Sequence, residues 1–227
     1  MDSSECFEDK SGTKLPRYVT YCKDPVKVSN IIREKIPNFN EEEYFIVLGV
    51  DGGKNNLKIC LNWSKRTKDD GKYKLMGPKH SIILASVCYV LETYHNIKVL
   101  FNLLKVEKLN FKLSTDLKLV NIIIGKQSAA CKFPCPYGNC IRNENYGWSK
   151  GENLSFNDLR TNYRNYVDHG CGKRQKLMNF KNQEFDPLIN GNSVILYEIP
   201  PPVRVVKNYF YCFILLIIFL KILYNLK

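Results

Sequence analysis

The stretch from Tyr44 to Trp63 constrains the fold more than any other part of the chain. Tyr44-Phe-Ile-Val-Leu-Gly-Val50 is a short, continuous apolar run. That is the pattern of a strand buried on both faces. Asp51-Gly52-Gly53 and Lys54-Asn55-Asn56 follow, dense in turn-forming residues. Leu57, Ile59, Leu61 and Trp63 then alternate with Lys58, Cys60 and Asn62. A period of two predicts a strand with one polar face. The two runs together predict a β-hairpin.

The rest of the core is read from changes of period. Ser64 to Gly77 is charged and predicts a loop, and Ser81 to Val90 predicts a third strand. Ile97, Leu100, Phe101 and Leu104 then fall on one face of a helix. Phe111 to Ser114 alternates briefly, as a fourth strand would. Ser114 or Thr115 is expected to cap a helix from Leu117, with Leu117, Val120 and Ile124 on a shared face. The order strand-strand-strand-helix-strand-helix predicts an α/β fold with a mixed sheet. A crossover through the first helix lets the fourth strand lie parallel to the first and beside it. Asp51 and Asp116 would then emerge together at the carboxyl edge, where open α/β sheets place their sites.

Residues 1–40 read as a polar leader or small flanking segment with one helical stretch, Val26 to Lys35. The core is expected over 41–130, a Cys-containing basic region over 131–207, and an apolar helix over 208–227.

Composition narrows the partner. Of 227 residues 44% are hydrophobic, enough for a packed core, and the formal net charge is +12. That excess favours a polyanion, either nucleic acid or an anionic membrane surface, over an acidity-neutral partner. Arg160 and Arg164, then Lys173, Arg174 and Lys176, with Tyr163 and Tyr166 between, are candidate nucleic-acid contacts. A solvated basic surface is the plain alternative. The nine cysteines and the polar start, Met1 to Lys10, suit a reducing compartment. There, clustered cysteines suggest metal. Cys131, Cys135, Cys140 and Cys171, with His169 nearby, are candidate zinc ligands, though their irregular spacing also suits unrelated thiols. Cys60, Cys88 and Cys212 stand in apolar runs and read as small core residues.

Two carboxylates at neighbouring strand ends suit Mg²⁺-assisted phosphodiester chemistry, because Mg²⁺ prefers hard oxygen ligands. Three parts of the chain carry a resemblance: Val50-Asp-Gly-Gly-Lys-Asn-Asn-Leu-Lys-Ile-Cys-Leu-Asn62, Asp116-Leu-Lys-Leu-Val-Asn-Ile-Ile-Ile-Gly-Lys-Gln127 and Phe133-Pro-Cys-Pro-Tyr-Gly138, with Pro187-Leu-Ile189 and Ile199-Pro-Pro-Pro202 further on. Over roughly 40–205 the chain resembles transposon-derived animal proteins. Their core is similar to the DDE transposases, including the Transib type related to the recombination-activating recombinase. The resemblance implies a ribonuclease-H-like domain, DNA as partner, a nuclear location, and Asp51 and Asp116 as the first two catalytic, metal-binding positions.

The chain departs from that pattern at Gly138, where a second zinc cysteine is expected, and after Pro202, where no acidic residue follows. A third catalytic acid is not found. The expectation is therefore a ribonuclease-H-like domain truncated at its carboxyl end, binding nucleic acid without cutting it. A rival expectation comes from Tyr209 to Tyr224, an apolar run broken only by Lys221 and flanked by Lys207 and Lys227. It is slightly short of the roughly 20 residues that span a bilayer. It would make the chain a tail-anchored membrane protein with a basic, non-catalytic domain.

Overall fold

The structure is a computed structural model. It describes residues 2–53, 56–66, 73–75, 81–127, 131–136, 138–141, 151–170 and 180–190. The apolar segment 208–227, and with it Cys212, lies outside the described residues.

The elements in chain order are β1 (Asp2–Glu8), β2 (Lys14–Tyr21), α1 (Pro25–Lys35), β3 (Tyr44–Gly53), β4 (Asn56–Arg66), β5 (Tyr73–Leu75), β6 (Ile82–Cys88), α2 (Tyr94–Leu104), β7 (Lys112–Ser114), α3 (Leu117–Ile123) and α4 (Phe156–Asp168). One mixed sheet joins the strands in the order β1-β2-β6-β4-β3-β7, with β5 alongside β4. The β3–β4 hairpin is in register from Tyr44↔Lys65 to Gly53↔Asn56. β7 pairs parallel to β3 through Val47↔Lys112, Leu48↔Leu113 and Gly49↔Ser114. The parallel neighbour expected from the crossover pattern is therefore present.

Period two sets the burial. Leu57, Ile59 and Leu61 of β4 are fully buried, as are Leu48 of β3, Val19 of β2 and Ala85 of β6. Ile97, Leu100 and Leu104 of α2 pack onto this face, joined by Leu119 and Ile123 of α3 and Ile32 of α1. Each such side chain contributes about 1.5–3 kcal/mol when withdrawn from water.

Several expectations are corrected. The first forty residues form a hairpin and a helix of the same sheet, with β2 paired to β6 through Val19↔Val87 and Tyr21↔Ala85. Tyr73–Leu75 adds a short strand inside the expected loop, pairing Ser64↔Leu75. Asp116, not Ser114 or Thr115, caps α3, its side chain accepting from Leu119 N. Leu117 is exposed, while Val120 and Ile124 are buried as expected, joined by Leu119 and Ile123. A helix start can take any short polar side chain whose oxygen reaches the N3 amide, so which of three neighbours does so is settled by backbone direction. Cys88 is exposed, not core. It stands opposite Asn56, on the polar side of the alternation.

Candidate functional site

β3, β6 and β7 run in one direction, since β4 is antiparallel to both β3 and β6 while β7 is parallel to β3. Their carboxyl ends therefore share one edge. Asp51 lies two residues past Gly49, and Asp116 two residues past its partner Ser114. Thr115 extends the contact, donating its Oγ1 hydrogen to Val50 O at 2.7 Å. Neighbouring strands lie about 4.8 Å apart, so the two acids expected from sequence stand near the carboxyl ends of adjacent strands. Both are exposed.

Their surroundings differ. Asp116 Oδ1 accepts from Leu119 N at 2.8 Å, holding the first turn of α3. A negative charge there also opposes the positive end of the helix dipole. Asp51 stands opposite Lys58 across the hairpin. It is close enough to Cys60 that burial first, and the Asp51 carboxylate second, push the Cys60 thiol up.

A third acid at this edge was missed by sequence reasoning. Glu92 follows β6, the third of the parallel strands, and its side chain is largely buried. It lies against Gly52, where an added Cβ would meet Glu92 Cγ and force the Glu92 side chain to move. Its carboxylate is ion-paired with Lys118 of α3. The signal available was its place just beyond a strand parallel to β3. That parallelism follows from the β4–β6 pairing, which periodicity does not reveal.

Mg²⁺ commonly binds through one or two carboxylates and keeps several waters. Asp51 and the second carboxylate oxygen of Asp116 are the oxygen donors that such a hydrated ion would use. Among the described residues no three His, Cys, Asp or Glu side chains group to hold a metal.

A buried cation lies in the cysteine region. Lys126, 3% exposed, donates from Nζ to Cys135 O at 2.6 Å. Burial pulls its ammonium down to about 8, against the opposing influence of Cys135, Cys131 and Cys140. Burial raises the Cys131 thiol. Around them, Asn121 Nδ2 donates to Pro134 O, Phe133 N to Asn182 Oδ1, and Asn182 Nδ2 to Gln127 Oε1. Gly125, at φ +78°, approaches Phe185 O so closely that any Cβ would clash. The residues that carry the family resemblance after Asp116 thus serve largely to tie α3 to the 133–135 and 182–188 segments. Cys171 lies outside the described residues. His169 sends Nδ1 to Asn165 O and packs on Phe180.

Residues 5–165 match the model of a family described as a domain of unknown function, DUF8703. The chain belongs to that family. No curated protein matches it. The DUF8703 span begins inside β1 and ends inside α4, so it takes in the amino-terminal hairpin as well as the three acids.

The last helix of the DUF8703 domain carries two of the expected basic residues. Ser155 and Asp158 form a reciprocal cap at its start. Leu159 packs against Val120 of α3 and against Ile124, the residue that caps its end. Arg160 donates to Asn190 Oδ1 at 2.8 Å, while Arg164, one turn on, is exposed. Tyr166 is buried, not a surface ring. Lys173, Arg174 and Lys176 lie outside the described residues.

Proposed function

We propose that this DUF8703 protein is a nucleic-acid-binding relative of the DDE transposases, built on a ribonuclease-H-like sheet and acting by binding DNA without cutting it. One observation carries the reading: Asp51 and Asp116 stand in matching positions beyond the parallel pair Gly49↔Ser114. Two neighbouring strand-end carboxylates are what the ancestral metal chemistry requires. The net charge of +12 supports a polyanionic partner.

Binding without cutting is supported by how the acids are used. Asp116 is engaged by the Leu119 amide and Glu92 by Lys118, so both serve the fold directly. Asp51 and Asp116 would hold a hydrated Mg²⁺, which supplies positive charge to a nearby phosphate. Asp116 keeps the start of α3 in place beside that phosphate. The exposed Arg164 and the 173–176 basic stretch would add sequence-independent phosphate contacts. A DNA-binding role implies a nuclear location.

The test uses the full-length chain and labelled DNA across a salt series. Affinity should fall steeply and linearly on logarithmic axes as phosphate-bound counterions are released. Mn²⁺ binding, followed by electron paramagnetic resonance, should weaken in Asp51→Asn and Asp116→Asn. No DNA binding at low salt overturns the nucleic-acid role. Mn²⁺ affinity unchanged by both substitutions overturns the metal positions.

A further inference from the structure

Tyr18 and Tyr89 are the most exposed large hydrophobic side chains among the described residues, at 84% and 78%. Neither ring takes part in an aromatic contact or hydrogen bond there. Their positions are linked. The β2–β6 ladder ends at Val19↔Val87, so Tyr18 and Cys88 are the next residues out on the two strands, and Tyr89 follows Cys88. Tyr89 directly follows β6, three residues before Glu92, on the side of the sheet where the carboxyl ends of β3, β6 and β7 lie.

Two features separate these tyrosines from ordinary surface residues. Tyr89 holds a left-handed backbone at φ +60°. A bulky side chain adopts that conformation rarely and at a cost, and such strain concentrates at functional positions. Tyr18 stands on the strand face opposite the core. α2 and α3 pack on the side of Val19, Val87, Leu57 and Ile59. By alternation, Tyr18, Thr20, Ser86, Cys88, Asn56 and Lys58 share the other face. Tyr18 thus stands on a largely polar sheet face, and Tyr89 lies just past the carboxyl end of the neighbouring strand β6, both rings solvated, on a chain of net charge +12.

We propose that Tyr18 and Tyr89 form a stacking platform for the unpaired bases of single-stranded nucleic acid at this edge. The proposal rests on the nucleic-acid role above and names its substrate class. Each base offers a π-face to stack on, whereas a duplex hides those faces within its own stack. The basic charge draws in the backbone, and the rings select the unpaired form.

The experiment measures anisotropy of the full-length chain with a fluorescein-labelled oligothymidylate, and with a duplex of the same length, across a salt series. Tyr18→Ala and Tyr89→Ala should each weaken single-strand binding about tenfold, within the range for loss of one stacked base. The salt slope should stay unchanged, because phosphate contacts set it. Tyr18→Phe and Tyr89→Phe should bind as the parent does, and circular dichroism should show every variant folded. If the parent binds single strands and both alanine variants bind equally well, the platform is wrong and the nucleic-acid role stands. If the parent binds neither strand nor duplex, both fall. If the alanine variants change sedimentation of the chain and not its affinity, the face joins two copies and the platform is overturned.

Discussion

Asn96 holds the end of the first strand from 88 residues away. Its Oδ1 accepts from Glu8 N at 2.7 Å, and its Nδ2 donates back to Glu8 O at 2.9 Å. The same Nδ2 donates to Leu91 O at 3.0 Å, and the side chain is fully buried. One amide group therefore satisfies both polar groups of an edge-strand residue while standing in the first turn of α2.

Asn96→Ala should destabilise the protein by about 2–3 kcal/mol, because buried backbone groups lose their partners. Asn96→Asp should cost at least as much at neutral pH, since a carboxylate cannot donate to Glu8 O or Leu91 O. Urea midpoints report both. A wild-type midpoint in Asn96→Asp would show that the amide donor is not needed.

Asp116 does two jobs that one pair of substitutions separates. Asparagine caps a helix about as well as aspartate, whereas alanine costs about 1 kcal/mol. Asp116→Asn should keep the stability of the parent and lose Mn²⁺ affinity. Asp116→Ala should lose both. Thermal unfolding and Mn²⁺ titration, run on both variants, check the division.

Gly125→Ala meets two obstacles at once, the positive φ and the Phe185 carbonyl. Strain and overpacking together should cost about 3 kcal/mol or more. The hydrogen bonds from Glu184 N and Phe185 N to Gly125 O would be disturbed with it. Hydrogen exchange at those two amides should therefore accelerate. Unchanged exchange would mean that the segment accommodates a methyl group.

Lys126 makes stability depend on pH. Its folded value, about 8, lies below the ordinary 10.5. Between those values the unfolded chain binds the proton that the folded chain has released. The contribution of Lys126 to stability should therefore rise as pH climbs from about 8 to about 10.5, by about 3 kcal/mol at most. Lys126→Met removes that rise. The difference between parent and variant isolates it from the neighbouring thiols, whose own titration runs the other way for Cys131. Parallel stability curves for the two proteins would exclude a lowered Lys126.

Much of the sheet was legible because its strands declare their own burial. The alternation of Leu57, Ile59 and Leu61, the apolar run before Asp51 and the helical stripe of α2 each report which face meets the core. The β1–β2 hairpin was not legible for the same reason. Its burial is thin, with Phe7 and Val19 alone fully withdrawn from solvent, and Pro16 inside β2 argues against a strand. Pro16 is tolerated because β6 pairs β2 only from Val19 onward, so the missing donor at Pro16 falls outside that ladder.

The candidate site divides along the same line. Asp51 and Asp116 could be paired from sequence, since strand period and helix length together imply a parallel neighbour. Glu92 could not, because it joins them through the β4–β6 pairing. The Cys131, Cys135 and Cys140 spacing suggested metal, and it gave no sign of the buried Lys126 ammonium beside them. By itself the sequence determined the strand and helix periods, the basic charge and the two acids, all properties of residues close along the chain. Tertiary structure alone decided the amino-terminal hairpin, the third acid and the buried lysine. Each depends on contacts between distant segments, and a polar contact of that kind leaves no period to read.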